Sequence, residues 1–418
     1  MNVFKRRRDL LKEHLREAAG AQAVLALIFS GAERDLVPFV PDSNFYYLTG
    51  VESPGAALLL NVTPEGADEV LFLPPKDPAK ERWTGPVLSS GGLTKEVLPD
   101  RERKRAMKDT GVGTILASYQ LEAHLSRPLD KNPLCYLDFP AAGLDDPPTQ
   151  THLFWEKIHR RYPALQPRRL GALLGDLRRV KDETELACLV DAIDITRAAH
   201  DALMRHISPG MMEYQAAALV EFVFRMEGAQ TPAFPTIIGS GPNSCVLHYD
   251  KNSRKMSAGD LAVCDIGCRK DFYCSDITRT YPISGRYSKR QREIYDVVLG
   301  ASQAAMEAAR PGNFVTDVHR ACSEYIARAG YGRYFFHGTS HYLGLDAHDA
   351  GLYDRPLEPG VVITIEPGIY IASEELGIRT EDDIVITKAG YRCLTEDVPR
   401  DPGDIEKLMS RPSKSLSY

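Results

Sequence analysis

The chain has 418 residues, long for one domain, so two domains are expected. Charged residues make up 26% and hydrophobic ones 43%, the balance of an ordinary soluble globular protein. Lys+Arg 51 against Asp+Glu 57 leaves a net charge of −6, with no broad basic face for phosphates, which argues against a nucleic-acid partner.

At the start, Lys5-Arg6-Arg7-Arg8 is basic, but Asp9, Lys12, Glu13 and Arg16 stand where a signal peptide carries its apolar core. Residues 5–18 read as an amphipathic helix, and 23–29 as a buried strand too short to span a membrane. A cytoplasmic protein with no membrane partner is expected. Eight cysteines without a Cys-x-x-Cys fit free thiols in a reducing compartment, and the irregular spacing of Cys264, Cys268 and Cys274 argues against a soft metal site.

Asn44-Phe45-Tyr46-Tyr47-Leu48-Thr49-Gly50 reads as an aromatic strand closed by glycine. Residues 56–62 and 69–73 read as a hairpin around Thr63-Pro64-Glu65-Gly66. Lys76-Asp77-Pro78 opens a loop that reaches Trp83-Thr84-Gly85. The run 101–108 reads as a solvated helix face, and 140–150 as loop. Strands alternating with helices predict an α/β N-terminal domain over residues 1–172, without a catalytic constellation.

A second domain, 173–418, has a different character. Asp182 and Glu185 make a capping box for a long helix with Leu186, Leu189, Val190, Ile193 and Ala198 on its apolar side, ended by Pro209-Gly210. A second helix covers 213–227, and strands are predicted at 234–238, 246–249, 261–266 and 272–280. The pattern then recurs. Ser288 and Gln291 cap a helix ended by Pro311-Gly312, another helix covers 316–329, and strands follow at 361–365 and 378–387.

The recurrence is sharpest around two acids. Gly259 lies six residues before Asp265 and Gly267 two after it, while Gly360 lies six before Glu366 and Gly368 two after. A second strand with a further acid follows each, Asp276 and Glu381. Such self-similarity predicts two related halves with a shared site on their pseudo-twofold axis.

Between the halves' acids runs the segment His337-Gly338-Thr339-Ser340-His341-Tyr342-Leu343-Gly344-Leu345-Asp346-Ala347-His348-Asp349, with three of the chain's 11 histidines. One strand-end acid would be paired with an arginine, and Arg279 and Arg379 are near in sequence. Four acids in a duplicated arrangement, with His341, point to metal binding, because buried carboxylates need a partner. Five ligands exceed the three of a catalytic zinc and suit two divalent ions roughly 3.5–4 Å apart. Mostly oxygen ligands with one imidazole favour manganese, with cobalt or zinc able to bind.

The set Asp265, Asp276, His341, Glu366, Glu381 resembles the dinuclear site of the pita-bread metallopeptidases. Within them the chain is most similar to the aminopeptidase P family. The histidine segment is the most specific match. Asp276-Ile277-Thr278-Arg279-Thr280, Glu366-Pro367-Gly368-Ile369-Tyr370 and Gly377-Ile378-Arg379-x-Glu381-Asp382-Asp383 support it. Asn44-Phe45-Tyr46-Tyr47-Leu48-Thr49-Gly50 and Trp83-Thr84-Gly85 match the family's N-terminal signatures. Tyr342 stands where the family usually has tryptophan and Thr380 where an aliphatic residue is usual, and the connection from Glu366 to Glu381 is short.

The resemblance implies a duplicated α+β catalytic domain, an antiparallel sheet with flanking helices. It implies that Asp265 chelates one metal, Asp276 and Glu381 bridge both, and His341 and Glu366 complete the second. Glu366 also orients or deprotonates the nucleophilic water. His248, His337 and His348 serve the scissile carbonyl and its protons, and Arg379 props a ligand carboxylate. The implied reaction is hydrolysis of the first bond of peptides with proline at the second position, by a dimer or tetramer. In that oligomer Trp83 or residues 45–47 wall a neighbour's cleft. Prolidase, which cuts only X-Pro dipeptides, is the near alternative. A non-catalytic peptide-binding module is the alternative of a different class, and such modules lose ligands, whereas none is lost here. His319 is read as a solvent-facing helix residue and Gly239-Ser240-Gly241 as a turn near the substrate.

Overall fold

A computed structural model describes residues 2–90, 100–131, 134–139, 143 and 145–410, and divides into two compact units, Met1–Leu177 and Arg178–Tyr418. In the first unit the elements run α1 (Val3–Ala19), β1 (Val24–Phe29), α2 (Ser43–Thr49), β2 (Ala57–Thr63), β3 (Gly66–Leu73) and α3 (Pro78–Thr84). Then come α4 (Asp100–Thr110), β4 (Ile115–Ala117), α5 (Leu121–Lys131), β5 (Leu134–Leu137), α6 (Gln150–Arg161), β6 (Gln166–Arg169) and α7 (Gly171–Arg179), the last crossing the boundary.

The six strands form one mixed sheet in the order β4-β3-β2-β1-β5-β6, with β1–β2–β3 antiparallel and the flanking pairs parallel. All six residues of β1 are buried, as its unbroken apolar run requires of a central strand. The predicted hairpin is present, with Thr63 paired to Gly66.

Two sequence expectations fail here for one reason, end-capping. Residues 44–50 form helix α2, not a strand. The Asp42 carboxylate accepts the Phe45 N–H, Thr49 Oγ1 bonds the Phe45 carbonyl, and Gly50 closes the helix at φ +65°. Likewise 78–84 is helix α3, capped by Asp77 and ended by Gly85, where a loop was expected. The run 101–108 lies in α4. Of 140–150, residues 140–142 and 144 lie outside the described residues, 143 and 145–149 are irregular, and Gln150 opens α6.

The second unit begins with α8 (Glu183–His206), and the predicted capping box is there. Asp182 accepts the Thr184 and Glu185 N–H groups, and Glu185 reaches back to Asp182 N. After α9 (Glu213–Met226) come β7 (Thr231–Pro232), β8 (Ile237–Ser240), β9 (Leu261–Ile266), β10 (Cys268–Lys270), β11 (Tyr273–Cys274) and β12 (Ile277–Pro282). The second half follows as α10 (Lys289–Ala308), α11 (Val315–Arg328), β13 (Val362–Ile365), β14 (Gly368–Ile371), β15 (Leu376–Arg379), β16 (Asp382–Thr387), β17 (Gly390–Cys393) and α12 (Pro402–Met409).

The strands make four small antiparallel sheets, β11-β10-β7, β12-β9-β8, β13-β16-β17 and β14-β15. Helices α8–α11 pack their apolar faces on them in one core. The two halves repeat in detail. β9 pairs β12 with Asp265 opposite Thr278, and β13 pairs β16 with Ile365 opposite Asp382. The glycines that start the two hairpins share a conformation, φ +94° at Gly259 and +97° at Gly360.

Residues 246–249 are not a strand; they form a turn after a 3-10 segment, Gly241–Cys245. The predicted strand 272–280 is broken between Cys274 and Ile277, and 378–387 is broken at Thr380-Glu381. Both breaks fall beside acids. Among the described residues, no helix is long and apolar enough to cross a membrane.

Candidate active site

Strand ends supply the acids. Asp265 lies near the end of β9, Asp276 just before β12, Glu366 just after β13 and Glu381 just before β16. At these positions the ladder stops and a side chain can leave the sheet, while Glu381 N–H still bonds the Thr278 carbonyl at 3.0 Å. His341 arrives on a segment that runs beside β13. Tyr342 bridges Ile363, Thr364 N–H bonds the His341 carbonyl at 2.9 Å, and Glu366 N–H bonds Thr339 at 2.8 Å.

These five residues, with His248, His337, His348 and Arg379, line one cavity of about 710 Å³. Every site residue singled out in the sequence is brought to the same place.

Burial first, and the neighbouring carboxylates second, push Asp276 and Glu381 well above the usual carboxylate range. Burial also raises Glu366, against the pull of Arg379. Burial and nearby His348 hold His341 down to about 4, so its ring is neutral at pH 7. Its Nδ1 lies 3.0 Å from the Tyr342 carbonyl, where it can only donate. That leaves the Nε2 lone pair facing Asp276 Oδ2 at 3.6 Å and Glu366 Oε1 and Glu381 Oε1 at 3.8 Å each. A backbone carbonyl orienting the far nitrogen is how metal-binding histidines are held.

One ligand atom from each of Asp276, His341 and Glu381 lies within 4.8 Å of the others. Asp265 and Glu366 fall outside that tightest group but share the cavity. Asp265 Oδ1 is buried without a hydrogen-bond partner among the described residues, while Oδ2 takes Arg379 Nη2 at 2.7 Å. A free imidazole lone pair, crowded carboxyls and an orphaned carboxylate oxygen fit a divalent cation.

Arg379 also donates to the Tyr370 hydroxyl at 3.0 Å and to Thr278 Oγ1 at 3.3 Å. Arg279 pairs with none of the four acids. It is buried against Asp382 at 2.6 Å and donates to the backbone carbonyls of Glu381, Val398 and Pro399, so it fixes the chain that carries Glu381.

The three other histidines differ. His337 has both ring nitrogens engaged, Nδ1 with the Gly338 carbonyl at 2.7 Å and Nε2 with the Tyr370 hydroxyl at 3.0 Å. Burial and the Arg379 charge hold it down to about 4. His248 and His348 are exposed to the cavity, and among the described residues neither ring makes a hydrogen bond.

Tyr370, Tyr353, Phe234 and Asp250 belong to the site or its rim, yet were given no role from the sequence. Tyr370 closes the stretch Glu366-Pro367-Gly368-Ile369-Tyr370, and its one signal is Gly368, where a Cβ would lie 2.3 Å from the Tyr370 hydroxyl.

Other expectations resolve as structure. His319 is exposed but bonds Thr339 Oγ1 at 2.9 Å. Residues 239–241 do not line the cavity, though Ile237 and Leu247 on either side do. Ser240 donates through N–H and Oγ to fully buried Glu213, which also takes Tyr249 and Arg254. Cys264, Cys268 and Cys274 are free, buried thiols raised by that burial.

Residues 187–388 match metallopeptidase family M24, and residues 4–115 match the aminopeptidase P N-terminal domain. The chain is 33% identical to the Xaa-Pro aminopeptidase of Escherichia coli, covering 97% of each. It is 40% identical to the Xaa-Pro dipeptidase of Pyrococcus furiosus, over 55% of this chain and 66% of that one. Among solved structures, a putative aminopeptidase P from Bacillus anthracis superposes with a TM-score of 0.88 at 32% identity, covering 97% of each chain. Aminopeptidase P from E. coli with the inhibitor Pro-Leu gives 0.80 at 32% identity, again covering 97% of each chain.

Proposed function

This chain belongs to the M24 metallopeptidases and carries the aminopeptidase P N-terminal domain, and from that premise we propose how its residues act in a metal-dependent exopeptidase that cleaves N-terminal X-Pro bonds. Asp265, Asp276, His341, Glu366 and Glu381 hold two divalent ions. Manganese is the metal this oxygen-rich set favours, with cobalt or zinc as substitutes. When bound, the ions supply Lewis-acid polarisation and a nucleophile at neutral pH.

The protein's own groups do the rest. Glu366 takes the proton of the attacking water. His248 and His348, free to donate, meet the scissile carbonyl oxygen as its negative charge develops. His337, held by Tyr370, braces the wall beside them, and Arg379 holds Asp265 in place. The nitrogen of an X-Pro bond carries no N–H for the enzyme to grip, so stabilisation falls on the oxygen side. The observation that supports this most is the single cavity that gathers all nine residues.

The dipeptidase alternative is disfavoured by the same cavity. A dipeptide brings a carboxylate on its proline, and among the described lining residues the one fixed cation is Arg379, already bonded to Asp265 and Tyr370. A non-catalytic binding module is disfavoured by the intact ligand set.

Mass spectrometry of products from manganese-loaded protein given Ala-Pro and Ala-Pro-Ala tests the reading. Release of alanine from the tripeptide, with little dipeptide cleavage, is expected. Dipeptide cleavage alone would move the assignment to a dipeptidase, and no cleavage with manganese, cobalt or zinc would remove the enzymatic reading.

Two further parts of the proposal concern its setting. A dimer or tetramer is inferred, with Trp83, 90% exposed, as the side chain a neighbour meets. Phe45 and Tyr47 cannot share that role, because they are buried in α2. Full activity from a monomer in light scattering would overturn it. Cytoplasmic placement agrees with the buried, unbridged thiols Cys264, Cys268 and Cys274.

A further inference from the structure

Asp346 and Asp349 stand in the most specific stretch of the sequence, yet neither lines the cavity. We propose that Asp349, gripped by Arg178 and Lys181, is a positioning residue that aims His348 at the substrate. The role of His348 rests on the peptidase reading above; the geometry of the grip does not.

Asp349 is buried, with Oδ1 paired to Arg178 Nη2 and Oδ2 2.9 Å from Lys181 Nζ. Arg178 Nη2 also lies 2.8 Å from Asp346 Oδ2. The Asp349 N–H closes the loop by donating to the Tyr342 carbonyl at 2.9 Å, and Cys274 N–H ties Gly344 from the first half at 2.8 Å. Room for this is reserved at Gly344, where a Cβ would stand 2.3 Å from Asp349 Oδ2 and 3.0 Å from Lys181 Cε.

Asp349, Arg178 and Lys181 are buried together, with Asp346 half-exposed at the edge. Buried charges of this kind add little net stability over apolar packing, but they admit one geometry. That geometry matters at the next residue. The His348 ring lies 4.2 Å from the His341 ring, and among the described residues it has no hydrogen bond of its own. Its aim is therefore set by the backbone that Asp349 anchors.

Lys181→Met keeps the stem, removes one charge and leaves Arg178 to balance Asp349. In the manganese-loaded enzyme kcat is expected to fall about tenfold or more, as small misplacements of a reacting group do. KM and bound metal should stay unchanged, and Lys181→Arg should recover most of the loss. A second readout needs no activity. Diethyl pyrocarbonate labelling, followed by peptide mass spectrometry, should modify His348 several-fold faster in Lys181→Met, relative to His248 in the same sample. Unchanged kcat well below the variant's melting temperature, with an unchanged labelling ratio, would overturn the proposal and leave a purely stabilising ion cluster. If the wild type itself cut no X-Pro peptide, the peptidase reading would fail, while the labelling ratio would still decide the clamp.

Discussion

At the scale of single residues, this protein uses buried charge in two ways. Arg379 is committed to Asp265, Tyr370 and Thr278, a planar donor matched to three acceptors in different directions. A lysine cannot make that set. Arg379→Lys is therefore expected to keep the fold but weaken metal affinity by about 10- to 100-fold, the usual effect of losing a group that orients a ligand. Titration of bound manganese measures it, and wild-type affinity would remove Arg379 from that role. His200 works differently. Its Nε2 donates to the Ile277 carbonyl at 3.1 Å, and Nδ1 accepts the Tyr281 hydroxyl at 2.9 Å, both on β12. Burial first and the Arg279 charge second hold it down to about 3. In the unfolded chain an imidazole titrates near about 6.5. The unfolded state thus gains a proton that the folded state refuses, so this contribution is full above pH 6.5 and is lost as pH falls toward 3. By pH 5 the loss is about 2 kcal/mol. Urea unfolding of wild type and His200→Gln at pH 7.5 and pH 5 checks it. The variant should be less stable at the higher pH and recover about that much of the difference at the lower one.

At the scale of elements, the acids stand where paired strands break, and glycine enforces the break in the first half. A Cβ on Gly267 would lie 2.0 Å from the Ser275 carbonyl oxygen, a backbone atom one residue from Asp276. Gly267→Ala must push β9 and the approach to β12 apart. A loss of about 1–3 kcal/mol is expected, typical of overpacking, together with weaker metal binding. A melting temperature and manganese affinity equal to wild type would show that the close approach is not needed. The same features explain what the sequence disclosed. Capping boxes at Asp182 and Ser288, and the glycine–acid–glycine repeat, are local chemistry, and the helices and hairpins they predict are present. Helix α2 was misread because Phe45, Tyr46, Tyr47 and Leu48 look like strand composition, whereas Asp42 and Gly50 at its ends decide the conformation. The turn carrying His248 has strand-like composition because of Val246 and Leu247, but Leu247 serves the cavity rim and Val246 is exposed, so neither joins a ladder. Tyr370 and Lys181 were silent because their partners are distant in the chain. A hydroxyl between His337 and Arg379 has no periodicity to betray it.

At the scale of the whole molecule, the stability of the catalytic unit and its metal site are one problem. Asp276, Glu366 and Glu381 are all raised above the ordinary carboxylate range, by burial first. A carboxyl whose folded pKa is raised favours the fold below the unfolded pKa, and that contribution is lost as pH rises through the folded pKa. The stripped protein therefore gives up stability between about pH 4.5 and the raised values. A divalent cation reverses the sign of the environment. It binds the ionised carboxyls, displaces their protons and adds stability through its preference for the folded state. The difference in melting temperature between manganese-loaded and EDTA-treated protein should accordingly widen steadily from pH 5.5 to pH 8. Contributions common to both forms, such as that of His200, cancel in the difference. Calorimetric titration in buffers of different ionisation enthalpy should show proton release on metal uptake, largest at the acid end of the range. A pH-independent gap, with no proton release, would mean that the acids are already ionised in the stripped protein. The raised carboxyls would then play no part in coupling metal to fold.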